Sequence, residues 1–161
     1  MQRDQGEPVD RFLGRLVDRE VKVHERVQKI LSDPDSAPNS LHWNLLRLFE
    51  IPAKVQLVTT NFDLHFTGAA RSLFGAVQVE TFSAPALPPG DSSIGLVYLH
   101  GSIDKPAERL VLTDADFGRA YLTEGWARQF LQRLFAKYVV MFIGYSHNDP
   151  VMNYLARPKF L

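Results

Sequence analysis

The stretch VQLVTTNFD, residues 55–63, decides the fold. It opens on a mostly apolar run and breaks off into Thr, Thr, Asn and Asp. An apolar run rich in Val and Leu reads as a strand buried on both faces, as in a parallel sheet. Two later stretches repeat the design: LVYLHGS, residues 96–102, and VVMFIGYS, residues 139–146. In open parallel sheets, ligands bind in the crevice beyond the carboxyl ends of the strands. The pattern therefore brings Thr60, Asn61, Asp63, His100, Gly101, Gly144 and Ser146 to one edge of one sheet.

Working outward, residues 9–31 carry apolar side chains at Phe12, Leu13, Leu16, Val17, Val21, Val27, Ile30 and Leu31, which is helical spacing. A turn-rich loop, DPDSAPNS, follows at residues 33–40. Ser40 is positioned to cap a helix over 41–50, and Pro52 helps to end it. A helix is expected over about 63–74 and a second strand over 77–82. Residues 83–93 read as a proline-rich surface loop. The third strand is expected at 95–99 and a short fourth at 110–112. Thr113 and Thr123 each look able to cap a helix, to about Tyr121 and Lys137. Trp126, Phe130, Leu131, Leu134 and Phe135 form the stripe of the second. A last strand is expected at 138–143 and a short helix at 149–156. Alternating strands and helices imply a three-layer, Rossmann-like α/β fold with a largely parallel sheet.

Composition narrows the function. The 161 residues carry 18 basic and 18 acidic side chains, for a formal net charge of zero. No broad attraction to nucleic acid or to an anionic membrane is indicated. No apolar run is long enough to cross a bilayer, and the N-terminus is polar. There is no cysteine, which excludes disulfides, thiolate zinc sites and a cysteine nucleophile, and fits a cytoplasmic protein. The five histidines are dispersed, with no HxH or HxxxH pair, so no metal is expected.

Three elements together resemble the sirtuin superfamily. Residues 59–63, TTNFD, look like that family's T-x-N-x-D element. His100-Gly101 looks like its His-Gly element, and 144–146, GYS, like its later Gly-x-Ser element. The resemblance extends over about residues 41–154. LVLTDADF (110–117) and GYSHNDPVMNYL (144–155) look closest to bacterial sirtuin-like domains of antiphage-defence proteins, which typically cleave NAD. Family members begin with a strand and a Gly-Ala-Gly loop that cradles the pyrophosphate. Nothing here matches that unit. The expectation is a single sirtuin-like domain over 1–161, truncated, with a helical segment at 1–50 and the α/β core at 51–161. The zinc module of protein-deacylating sirtuins needs four cysteines and has none here.

The resemblance implies that NAD is bound as substrate and hydrolysed to nicotinamide and ADP-ribose without a metal. It assigns His100 and Asn61 to catalysis. Thr60, Asn61, Asp63, Gly101, Gly144 and Ser146 are assigned to holding NAD. An attached sensor domain or a homo-oligomer is the expected partner. Side-chain chemistry permits these roles, since imidazole titrates near neutrality and a short amide both donates and accepts. It also permits plainer ones. Asn61 and Asp63 can form an Asx turn that starts the next helix, and His100 can be a structural strand-end histidine. The alternatives to an NAD hydrolase are an inactive relative that keeps the fold as a nucleotide- or partner-binding module, an NAD-dependent deacylase, and a generic interaction module.

Overall fold

A computed structural model describes residues 2–88 and 94–144. Three strands form one parallel sheet: β1 (Gln56–Thr59), β2 (Thr81–Ser83) and β3 (Gly95–Tyr98), in the order β1-β3-β2. Thr59 pairs with Tyr98, and Ser83 pairs with Tyr98 from the other side. All three carboxyl ends therefore finish level. The helices are α1 (Val9–Val17), α2 (Val23–Leu31), α3 (Ser40–Leu46), α4 (His65–Phe74), α5 (Asp114–Gly118) and α6 (Trp126–Lys137). A π-helical turn, Arg119–Thr123, joins the last two.

The central strand shows why the fold has three layers. Side chains alternate across a strand. Leu96 and Tyr98 join Leu46, Val55, Phe66, Ala69 and Ala70 on the side of α3 and α4. Val97 and Leu99 join Tyr121, Phe130, Leu131 and Leu134 on the side of the π turn and α6. Each of the four is at most 1% exposed. At about 1.5–3 kcal/mol for each large apolar side chain buried, this short strand anchors both layers. Its one polar atom is accommodated: the Tyr98 hydroxyl lies 2.8 Å from Thr67 Oγ1 and accepts from the Thr67 N–H. Burial pushes the Tyr98 phenol up, so it stays neutral. A smaller cluster of Val23, Leu110 and Leu112, with Leu13, Leu16 and Val27 packed on it, attaches α1 and α2.

Several expected elements differ. The helix expected over 9–31 is two helices, because the chain turns at residues 18–22 and Glu20 takes a left-handed φ of 62°. Asn39, not Ser40, caps α3: its side chain accepts from the N–H groups of Leu41 and His42, and His42 Nδ1 accepts from the Asn39 N–H. That helix ends at Leu46, well before Pro52. The second strand is shorter and later than expected. Gly125, with φ 68°, precedes α6 in the place given to Thr123.

Residues 110–112 and 138–143 are not strands. The first segment makes a single backbone bond toward the segment that follows β3, from Val111 N–H to the His100 carbonyl at 2.9 Å, which is no ladder. In the second, Tyr138, Val140 and Phe142 pack on the core. Val139 and Met141 face outward, the latter 72% exposed. The alternation of a strand is present, but no ladder to β1, β2 or β3 is formed among the described residues. The helix expected at 149–156 lies outside the described residues. No described helix is long and apolar enough to cross a membrane.

Candidate functional site

β1 and β3 run parallel, so the polar segments that follow them leave the sheet side by side. Two backbone bonds hold them together. Leu99 N–H donates to the Thr59 carbonyl, and Ile103 N–H donates to the Phe62 carbonyl, both at 2.9 Å. Thr60 and Asn61 lie between these bonds on one segment, with His100 and Gly101 between them on the other. Four of the expected site residues are thus brought to one short stretch of sheet edge.

Each is positioned by its neighbours. The buried Thr59 hydroxyl accepts from the Asn61 N–H at 3.1 Å, which turns the backbone and leaves the Asn61 side chain exposed. Asp63 Oδ1 accepts from His65 N–H at 3.0 Å, the Asx turn that starts α4. The same oxygen lies 3.9 Å from His65 Nδ1. His100 is only 6% exposed. Its Nε2 lies 2.8 Å from the Tyr121 hydroxyl, and its ring meets the edge of Phe117 with centroids 5.1 Å apart.

Gly101 has a backbone reason to be glycine. Its φ is +96°, and a Cβ there would stand 2.8 Å from the Arg109 carbonyl oxygen. Gly101→Ala is therefore expected to cost about 3 kcal/mol, from a strained φ and a backbone clash. Gly118→Ala is the control. That residue is helical with nothing within 4 Å of the added methyl. It should be neutral or gain up to about 1 kcal/mol. Denaturant midpoints compare the two directly, and similar values would refute the clash.

The rest of the expected set is less closely tied. Gly144 is the last described residue before the terminal segment; it is exposed, with φ +67°. No described contact joins it to Asn61 or His100. Ser146 lies outside the described residues. Residues that the sequence reading missed also occupy this edge. Ser102 is buried, and its hydroxyl lies 2.9 Å from Ser83 Oγ and 2.6 Å from Asp104 Oδ1. This chain of oxygens joins the ends of β2 and β3. Burial works to raise the Asp104 carboxyl, but bonds from Ser102 and Lys105 outweigh it and hold the group below its usual range. Nothing in the spacing of Ser83 and Ser102 announces their contact, because it depends on β2 and β3 pairing in parallel with their ends level.

A cleft of about 240 Å³ lies elsewhere, between α1 and the start of α5, lined by Glu7, Arg11, Arg15 and Asp114 among others. Its clearest charged pair, Arg15 and Glu7, is already joined at 2.7 Å. The cleft shares no residue with the sheet edge, where the polar groups converge. Among the described residues, no group of three His, Asp or Glu side chains is arranged to hold a metal ion.

The chain is 29% identical, over 161 aligned residues, to the uncharacterized protein y4cA of Sinorhizobium fredii (strain NBRC 101917 / NGR234). The alignment covers 91% of this chain but 13% of that relative, so the chain spans about an eighth of its length. No solved structure matches. The family model described as the SIR2-like domain matches residues 55–158, from the start of β1 through the terminal segment. With a parallel sheet, two covering layers and the T-x-N-x-D and His-Gly elements side by side at its carboxyl edge, the chain belongs to the SIR2-like domain family.

Proposed function

We propose that this chain binds NAD at the carboxyl edge of β1 and β3 and hydrolyses it to nicotinamide and ADP-ribose. The observation that carries the reading is the pair of backbone bonds that brackets Asn61 and His100 together. Family membership makes an NAD-related function the expectation. In the reaction, the oxygen of water bonds to the ribose C1′ as the glycosidic bond to nicotinamide breaks. The bonding pair returns to the pyridine nitrogen, which becomes neutral, so the leaving group needs no acid. The transition state has oxocarbenium character, by analogy with other glycosidic cleavages. His100 takes the proton of the attacking water or of a ribose hydroxyl. Asn61 holds the water or the ribose hydroxyls, with Thr60 beside it. Asp63 accepts from the nicotinamide carboxamide through its second oxygen. Gly144 and Ser146 complete the contacts to ribose and phosphate.

The whole chain acts as one sirtuin-like unit, with helices over 1–50 and the α/β core over 51–161. In a longer polypeptide, such a domain would serve as an antiphage effector held in check by an attached sensor. Purified protein incubated with NAD should release nicotinamide and ADP-ribose in equal amounts. An acylated peptide added with NAD should yield no deacylated product. Nicotinamide release that depends on the peptide would overturn hydrolysis in favour of deacylation.

A second reading is favoured by the burial of His100, whose ring already has a hydroxyl partner. The domain then keeps the site as a nucleotide-binding module without turnover. Calorimetric binding of NAD with no product after long incubation is the result that selects it.

A further inference from the structure

We infer that Tyr121 is the positioning residue for His100, and that it fixes which ring nitrogen serves as base. This rests on the NAD-hydrolase reading for its kinetic consequence but not for its geometry. The two residues are 21 positions apart and meet in the core, Nε2 to hydroxyl at 2.8 Å. Tyr121 is 1% exposed, so the contact is shielded from water.

The segment that carries Tyr121 is built to aim it. Phe117 closes the last turn of α5, and the chain then widens into the π-helical turn Arg119–Thr123. Such turns re-aim side chains within a helix and recur at functional sites. Here they stack Phe117 on Tyr121, with centroids 6.1 Å apart and planes 13° from parallel. Both rings present their faces or edges to His100, at 5.1 and 6.0 Å. Phe117 limits the swing of the imidazole, and the Tyr121 hydroxyl sets its rotation.

Tautomer follows from role. A neutral imidazole has one donor nitrogen and one acceptor nitrogen. For His100 to accept a proton, Nε2–H donates to the Tyr121 oxygen, and Nδ1 is the nitrogen that takes the proton. The phenol oxygen then also steadies the imidazolium that forms, the part an orienting acceptor plays behind other catalytic histidines. A buried aromatic with no polar duty would be served as well by phenylalanine.

That difference is the test. Tyr121→Phe removes one oxygen and keeps the ring packed. The expected result is a kcat for NAD cleavage lowered about tenfold, the scale of one hydrogen bond, with KM unchanged. In protein labelled with nitrogen-15 at histidine, the His100 Nε2–H resonance should be visible and downfield in the wild type. It should move upfield in Tyr121→Phe. Ring signals and kcat both unchanged overturn the assignment. A fall in kcat that merely tracks a lowered melting temperature, with the ring signals in place, does so too. If the wild type is inert toward NAD, the hydrolase reading fails and the ring spectrum alone decides. A moved Nε2–H signal then upholds the Tyr121–His100 coupling, and an unmoved one refutes it.

Discussion

His100→Gln is expected to lower kcat for NAD cleavage at least 100-fold, the usual contribution of a positioned general base. KM should change less than about threefold, because the imidazole acts on a proton in flight rather than on the bound ground state. Glutamine roughly keeps the size and a hydrogen-bonding head near Tyr121, so folding should survive. Asn61→Ala, on the exposed side of the same edge, should lower kcat/KM about 30-fold, equivalent to about 2 kcal/mol of lost hydrogen bonding. The two losses should not add in the double variant, because both side chains serve one reaction centre. Nicotinamide release followed by chromatography gives all three numbers. Full activity in both single variants would remove the sheet edge from consideration, whatever the fate of the fold.

How much of this was legible beforehand varies by element. The strands at β1 and β3 were readable because burial on both faces leaves a nearly unbroken apolar run. The polar breaks at Thr59 and His100 then marked the ends of those strands. Residues 138–143 show the limit of that signal. Their alternation in the structure is that of a strand, yet a strand exists only where a neighbour supplies a ladder, and periodicity says nothing about neighbours. Asn39 and Ser40 are adjacent residues that cap equally well by type. The choice fell to Asn39 because His42 stands three residues on and completes the reciprocal bond. The break at Glu20 carries no glycine or proline to announce it.

The site was legible in part, for a related reason. Motif residues that leave neighbouring strands are brought together by the sheet itself, so Thr60, Asn61, His100 and Gly101 follow from topology. Their supporting contacts do not. Tyr121 sits in a π turn whose register departs from the helical period, and Ser83 meets Ser102 only because β2 pairs in parallel with β3 and ends level with it. Gly101 carries a further lesson. A glycine in a ligand-binding element invites a ligand explanation, while here the Arg109 carbonyl already requires it.

Asp116→Ala should destabilise the fold by about 3 kcal/mol, the largest stability effect expected of a single polar side chain here. Asp116 is 5% exposed and gathers one element after another. Its Oδ2 accepts from the N–H groups of Leu112 and Thr113, from the Thr113 hydroxyl, and from His24 Nε2 at 2.8 Å. Its Oδ1 takes Arg119 at 2.7 Å. The carboxylate thus pins α2 onto the start of α5 and holds the stretch that leads to Phe117 and Tyr121. Burial works to raise its pKa, but the bonds from Thr113, Arg119 and His24 together outweigh that and lower it from 3.8 to about 2. A lowered folded-state pKa means stabilisation that is whole above the unfolded value near 4 and fades as pH falls through about 2. The shift corresponds to about 2 kcal/mol. Unfolding by urea, measured from pH 7 down to pH 2, should therefore show wild type and Asp116→Asn far apart at neutrality. Their separation should stay constant to about pH 4 and shrink by about 2 kcal/mol below it. Parallel curves across that window would mean that the carboxylate charge is not what joins the N-terminal helices to the core.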